Sequence, residues 1–77
     1  MEYDYSKLIG RIIEVCGTRR EFARRMGFSE NSCSKKLRGI QPFKQAQIDR
    51  AADLLGIPGK EIQTYFFNRK SSKNVNK

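Results

Sequence analysis

Apolar residues recur along the first part of the chain at the spacing of one face of an α-helix. This run begins after Asp4 or Ser6, either of which is a suitable N-terminal cap. Gly10 falls inside the run, but the strong periodicity outweighs its cost of about 1 kcal/mol relative to alanine. Gly17 ends the run, as expected where a residue with positive φ closes a helix. The pattern predicts a first amphipathic helix with the inner residues Tyr5, Leu8, Ile9, Ile12, Ile13 and Cys16.

Two shorter helices are predicted next. Thr18 and Glu21 have the spacing of a capping box, which marks the start of a second helix. Gly27 ends it after about two turns, and Ser29 is a suitable cap for a third helix through Arg38. The second helix has the inner residues Phe22, Ala23 and Met26, whereas the third has only Cys33 and Leu37. Because the third helix adds so little to a core, we expect it to be kept for what it contacts outside the protein.

The remaining apolar residues predict a fourth and a fifth helix. The fourth follows Lys44, a poor capping residue, and ends at Gly56. Pro58 is tolerated in the first turn of the fifth helix, and Phe67 closes the ordered part. The inner residues of the fourth helix are Ile48, Ala51, Ala52 and Leu55, and those of the fifth are Ile62, Tyr65 and Phe66.

The chain has the length of one small domain. Its 77 residues do not suffice for two hydrophobic cores, and no alternating strand pattern or internal repeat is present. Residues 68–77 contain four Lys and Arg residues and a single apolar residue, a composition typical of disorder. The sequence therefore predicts an all-α fold, with a compact five-helix domain over residues 1–67 and a disordered basic tail over residues 68–77.

The net charge of +8 is concentrated in one part of the chain. Residues 18–44 carry eight Lys and Arg residues against two Glu residues, whereas the segments on either side are slightly acidic. A positive block of this kind indicates a polyanionic partner, either nucleic acid or an anionic membrane surface. A membrane role is disfavoured because the Arg-rich second helix has too narrow an apolar face to insert. No apolar stretch is long enough for a signal peptide or a transmembrane helix.

The residue types argue against an enzyme. The chain has no His, no phosphate-cradling glycine loop and no nucleophile next to a base at a recognisable spacing. Cys16 and Cys33 do not form a CxxC pair, and two thiols alone do not make a structural zinc site. We therefore expect no cofactor, no metal and no small-molecule ligand, and free thiols in a reducing cytoplasm.

Two short helices joined at a glycine, the first well capped and the second polar and basic, are typical of a helix-turn-helix. The stretch TRREFARRMGFSENSCSKKLRG resembles the helix-turn-helix of phage Cro and repressor proteins, the XRE-like class. The resemblance continues through PFKQAQIDRAADLLGI, and the ends YDYSKLIGRIIE and EIQTYFF resemble small phage proteins described as Cro-like repressors. It implies a λ-repressor-like fold that binds double-stranded DNA.

The resemblance also implies roles for individual residues. In that class the N-terminal part of the second motif helix lies at the base edges of the major groove. Asn31 suits adenine, Lys35 suits guanine and Glu30 suits cytosine, although Glu30 is equally explained by stabilisation of the helix dipole. The predicted base-reading residues are Glu30, Asn31, Ser32, Ser34 and Lys35. The predicted phosphate contacts are Arg19, Arg20, Ser29, Lys36, Arg38 and Lys44.

The leading hypothesis is a sequence-specific transcriptional regulator, a phage Cro-like repressor that blocks a promoter. A single small domain buries too little surface for tight binding, so we expect a homodimer on a pseudo-palindromic operator with half-sites about 34–36 Å apart. The candidate dimer surface is Tyr65, Phe66 and Phe67, some of which are expected to close the core. The alternative is a protein-interaction module, such as an antitoxin or an inhibitor of a host protein. RNA binding is disfavoured because the basic block lacks aromatic residues for base stacking.

Overall fold

The computed structural model describes residues 3–68, which form five α-helices and one turn of 3-10 helix. Within these residues Tyr3 makes an isolated bridge and no β-strand is present, so the predicted all-helical fold class is confirmed. The predicted tail lies outside the described residues, apart from Asn68. The helices are α1 (Ser6–Cys16), α2 (Arg19–Met26), α3 (Glu30–Leu37), α4 (Gln45–Leu55) and α5 (Ile62–Phe66), and the 3-10 helix is Gly59–Glu61.

The ends of α2 and α3 follow directly from the local sequence. The Thr18 hydroxyl accepts a hydrogen bond from the Glu21 amide at 3.0 Å, and the Ser29 hydroxyl accepts one from the Ser32 amide at 3.1 Å. Each bond satisfies an amide that the first turn of a helix otherwise leaves without a partner. Between the two helices, Gly27 has a φ of 78°, a left-handed conformation that strains residues with a side chain. The turn between α2 and α3 therefore depends on glycine.

Two local features differ from the sequence prediction. Only half of the capping box forms, because the Glu21 carboxylate turns away from the start of α2 and pairs with Arg24 and Arg25. The fifth helix is also shorter than predicted. Pro58 precedes a single 3-10 turn, and α-helical geometry begins only at Ile62.

The core lies between α1, α2, α4 and α5. Burial of each large apolar side chain contributes about 1.5–3 kcal/mol to stability. Helix α3 adds only two apolar residues, Cys33 and Leu37, to the buried core. The narrow apolar stripe predicted for α3 is thus confirmed, and α3 packs mainly against α2. The largest fully buried side chains are Phe22, Phe66, Leu8, Ile12 and Leu55.

A chain of aromatic contacts joins both ends of the domain to the loop between α3 and α4. The Phe67 ring packs on Tyr3 with 5.9 Å between centroids, and Tyr3 packs on Tyr5 at 6.2 Å. Tyr5 then contacts Phe43 edge to face at 5.6 Å, and Phe43 contacts Phe66 at 5.4 Å. Such pairs contribute beyond the area they bury, so they fix the loop against the end of α5.

Candidate helix-turn-helix surface

Helices α2 and α3 pack against each other through the small side chains of Ala23 and Cys33, as the predicted helix-turn-helix requires. Ala23 is 2% exposed, and the Phe28 amide donates to the Ala23 carbonyl at 2.9 Å as the chain leaves α2. Cys33 and Leu37 of α3 are also buried. Ala23, Cys33 and Leu37 line a shared surface cleft of about 220 Å³ between the two helices. The small Ala23 side chain allows the two helices to approach closely at this point.

The five predicted base-reading residues all lie on α3 but differ in exposure. Glu30, Asn31 and Ser34 are exposed, whereas Ser32 and Lys35 are half-buried. Positions 31, 34 and 35 follow the i, i+3, i+4 spacing and therefore share one face of the helix. In the part of the chain that the structure describes, no hydrogen bond or ion pair engages these three side chains. This face is the part of the predicted site that presents free polar groups.

Two of the predicted DNA contacts pair with each other. The Arg20 Nε atom lies 3.1 Å from Glu30 Oε2, and both side chains are largely exposed, at 82% and 69%. An ion pair as exposed as this one is worth about 0–1 kcal/mol, so a strong partner can break it. The pair joins the start of α2 to the start of α3, and neither charge is fully available to DNA while it persists.

The predicted phosphate contacts fall into separate groups. Arg19, Arg38 and Lys44 are exposed, and among residues 3–68 no hydrogen bond or ion pair engages their side chains. The Ser29 hydroxyl accepts the amide of Ser32 as the cap of α3, and it can still donate its own proton. These four residues therefore keep groups that suit an anionic partner.

Lys36 differs from the other predicted phosphate contacts, because its side chain is buried. It is 8% exposed, and its Nζ atom donates to the Pro42 carbonyl at 3.2 Å. The ammonium group also lies 5.4 Å from the centroid of Phe28 and 6.0 Å from that of Phe43. Position 36 is three residues from Cys33 and so falls on the inner side of α3. Its ammonium group therefore holds the α3–α4 loop, and a phosphate contact by Lys36 stays a prediction that this burial disfavours.

Charges on α2 are also engaged within the helix. The Glu21 carboxylate accepts two hydrogen bonds from Arg24, at 2.9 and 2.6 Å, and one from Arg25 at 2.8 Å. These bonds, with that from Arg24 the strongest, lower the pKa of Glu21 to about 2. The same pairing raises the pKa of Arg24. The positive block of the sequence is therefore partly neutralised along α2.

The three residues of the predicted dimer surface have different environments. Tyr65 is half-buried, Phe67 is 42% exposed and Phe66 is 1% exposed. Phe66 packs on Phe43 and belongs to the core, so the predicted surface is reduced to Tyr65 and Phe67. Ile40 is not among the site residues that the sequence predicts, yet at 59% exposure it lines the same cleft as Phe67. The one feature of the sequence that could have indicated Ile40 is its position as a single apolar residue between Gly39 and Gln41.

Residues 3–68 lack two further kinds of feature, a membrane-spanning helix and a cluster of metal ligands. No helix there is long and apolar enough to cross a bilayer, and no three His, Cys, Asp or Glu side chains converge. Cys16 and Cys33 are both free thiols. Burial raises the pKa of the Cys33 thiol, against the opposing effect of Arg19 and Lys36. Cys33 therefore acts as a small core residue.

Comparison with known proteins gives a phage protein as a structural relative. The chain is similar to the solution structure of the modulator of repression (MOR) of the temperate bacteriophage TP901-1 from Lactococcus lactis. The two are 44% identical, the match covers 88% of this chain and 92% of that chain, and the TM-score is 0.77. No curated protein matches the chain. The similarity to the Cro and XRE-like class stays a prediction.

The comparison with protein families covers most of the sequence. Residues 1–69 match a family described as a protein of unknown function, DUF739. This match includes all five helices. The chain therefore belongs to the DUF739 family.

Proposed function

We propose that this chain regulates phage repression by binding a repressor protein. The observation that carries the proposal is the 44% identity to the modulator of repression of phage TP901-1 over 88% of the chain. A protein that modulates repression acts on a process for which a repressor is responsible, so the repressor is the most direct partner. This function corresponds to a protein-interaction module built on a helix-turn-helix fold.

The charge distribution supports a protein partner. Residues 18–44 contain eight basic residues, and half of them have partners inside the fold. Affinity for DNA depends on how many phosphates a protein neutralises, so the engaged cations reduce the electrostatic term available to one small domain. The engaged residues are Arg20, Arg24, Arg25 and Lys36.

Operator binding by the repressor of phage TP901-1 tests the proposal. Anisotropy of a labelled operator is measured with repressor alone, with this chain alone and with both. We expect this chain to change the apparent Kd of the repressor for the operator about tenfold. Without the repressor, we expect this chain not to bind the operator at about 150 mM salt. The modulator of repression from the same phage is the positive control. An unchanged repressor affinity would contradict the proposal.

Direct operator reading is the second candidate function. It is favoured by one observation, the shared outer face of Asn31, Ser34 and Lys35, whose side chains have no hydrogen bond or ion pair within residues 3–68. Asn and Lys are suited to adenine and guanine edges, and each good bidentate contact discriminates by about 1–3 kcal/mol. A homodimer would read a pseudo-palindromic operator in this way.

Selection from randomised duplex DNA at about 150 mM salt separates the two candidates. A two-fold symmetric motif with half-sites about 34–36 Å apart would support operator reading by a dimer. In that case Asn31→Ala should relax specificity at one base pair, whereas Arg19→Ala should weaken all sequences alike. If no sequence is enriched and the affinity disappears with salt, the basic surface is non-specific and the protein partner is favoured.

A further inference from the structure

An apolar cleft of about 290 Å³ lies where the α3–α4 loop meets the two ends of the domain. Two of its lining residues, Ile40 and Phe67, are among the most exposed large apolar side chains of residues 3–68, at 59% and 42%. Tyr3, Pro42 and Phe43 contribute to its walls. Single exposed apolar residues are ordinary, but two that line one cleft indicate an interaction site. We refer to this feature as the Ile40–Phe67 cleft.

The loop that carries Ile40 is held in one conformation. The Ile40 amide donates to the Lys35 carbonyl at 2.9 Å, and the Gln41 amide donates to the same oxygen at 3.3 Å. One residue further on, the Lys36 ammonium holds the Pro42 carbonyl. Ile40 is therefore exposed on a fixed loop, and binding a partner costs little further ordering.

Phe67 is held on the opposite wall in a similar way. Its ring packs edge to face on Tyr3, with an angle of 83° between the planes. Next to it, the Asn68 carbonyl accepts a hydrogen bond from the Asp4 amide at 2.6 Å. The two walls are thus preformed, and the fold itself leaves both side chains partly exposed.

The charged residues of the α3–α4 loop, next to this cleft, are all positive. Arg38 and Lys44 stand on either side of the loop that carries Ile40, and both are exposed. No acidic residue occurs from position 36 to position 44. In the described part of the chain neither Arg38 nor Lys44 makes a hydrogen bond or an ion pair through its side chain. A complementary partner therefore presents an apolar group together with carboxylates.

This combination disfavours three other occupants. Phosphates would meet Arg38 and Lys44, but Ile40 between them offers an anion no hydrogen bond and hinders its solvation. A second copy joined through the same patch would bring like charges together, because a two-fold contact repeats one surface. Residues 69–77 contain four basic and no acidic residues, so the end of this chain also has the wrong sign.

We infer that the Ile40–Phe67 cleft docks a protein partner that inserts a bulky apolar side chain flanked by carboxylates. The inference rests on the proposed function, in which that partner is the repressor, and it adds the surface and the chemistry of the contact. It also separates the docking surface from the outer face of Asn31, Ser34 and Lys35 on α3.

Random peptides displayed on a selectable library test this inference with the full-length chain. We expect the enriched peptides to combine an aliphatic or aromatic residue with neighbouring Asp or Glu residues. An enriched peptide is then synthesised, and its Kd is measured for the parent and for Ile40→Ser and Phe67→Ser. Because each variant removes an apolar contact without changing charge, we expect each to weaken binding about tenfold. Arg38→Gln should weaken binding mainly at low salt.

The chain offers a matched control in Ile13, which is 45% exposed on α1 and does not line this cleft. Ile13→Ser should change the Kd by less than about twofold, since it lies on a different surface. Urea unfolding of all variants checks that the fold is retained. Ile40→Leu keeps an apolar side chain at this position and should bind the peptide as the parent does. Amide chemical shifts of the bound chain should change at Ile40 and Phe67.

Several results would overturn the inference. It fails if no peptide is enriched, or if Ile40→Ser and Ile13→Ser affect the peptide equally. A dimer that Ile40→Ser dissociates in sedimentation would assign the cleft to a second copy, and a lower affinity of Ile40→Ser for random-sequence duplex DNA would assign it to nucleic acid. Because the peptide assay contains no repressor, its failure is distinguishable from failure of the operator assay that tests the proposed function.

Discussion

Helices α2 and α3 are each eight residues long, and each begins with a hydroxyl cap, yet they use their side chains differently. On α2, the core receives Phe22, Ala23 and Met26, and three of the four arginines, Arg20, Arg24 and Arg25, pair with carboxylates. On α3, the buried set is Cys33, Lys36 and Leu37, and Glu30 pairs with Arg20. The side chains of Asn31, Ser34 and Lys35 make no hydrogen bond or ion pair within residues 3–68. The difference gives α2 the larger apolar share of the core and leaves the outer face of α3 exposed.

The largest expected difference between the two helices lies in their core residues. Phe22→Ala removes a fully buried ring from α2 and should lower the free energy of unfolding by about 3–5 kcal/mol. Cys33→Ala removes one sulfur atom from α3 and should cost on the order of 1 kcal/mol. Urea titrations of both variants measure this ratio. Equal losses would show that α3 supports the core as strongly as α2 does.

The buried lysine of α3 should give the next largest effect. Lys36→Met keeps the length of the side chain but removes the donor to the Pro42 carbonyl, which should cost about 1–2 kcal/mol. The control is Lys35→Met, a half-buried neighbour with no such bond, which should stay within about 0.5 kcal/mol of the parent. Hydrogen exchange should also accelerate at the Gln41 amide in Lys36→Met alone. A stability equal to that of the control would mean that the bond contributes nothing.

The N-terminal caps of α2 and α3 should contribute equally to stability, in contrast to the core residues of the two helices. Thr18→Ala and Ser29→Ala each remove an acceptor for a first-turn amide and should each cost about 1 kcal/mol in unfolding free energy. Ser34→Ala, an exposed change in the middle of α3, is the control and should lie within about 0.5 kcal/mol of the parent. Thermal unfolding measures all three. A much smaller loss at Ser29 would indicate that α3 is ordered by its packing alone.

The smallest expected effect is the pH dependence of the charge cluster on α2. Hydrogen bonds from Arg24 and Arg25 lower the pKa of Glu21 from 4.5 to about 2, so the unfolded chain binds the proton more readily than the folded chain. The stabilisation is therefore complete above about pH 4.5 and is lost as the pH falls towards 2. Unfolding midpoints of the parent and Glu21→Gln should converge over that range. If the difference between the two unfolding midpoints did not depend on pH, the charge of the Glu21 carboxylate could not be its cause.

Much of the fold could be predicted because it depends on neighbours in the chain. The helix starts at Thr18 and Ser29 need only a hydroxyl two or three residues before an amide. The helix-ending glycines predicted from the sequence, Gly17, Gly27 and Gly56, all have positive φ. The exposed face of α3 also follows from the helical period. Local geometry determines each of these features, so an unaligned sequence suffices for them.

The candidate site was less predictable, and Lys36 shows why. A polarity pattern places lysine in solvent, whereas this side chain extends its apolar stem under the loop and directs its charge to a carbonyl. The pairing of Arg20 with Glu30 depends on how α2 and α3 cross. Neither arrangement has a signal in the spacing of residues along the chain.

By itself the sequence determined the number, order and caps of the helices, the narrow inner stripe of α3 and the excess of positive charge. Only the tertiary structure decided which of those charges are used internally, that Phe66 is buried while Phe67 is exposed, and that Ile40 and Phe67 share one cleft. The physical reason is the range of the interactions. Helix caps and periodicity act over a few residues, whereas ion pairs and clefts form between segments that only the packing of the whole core brings together.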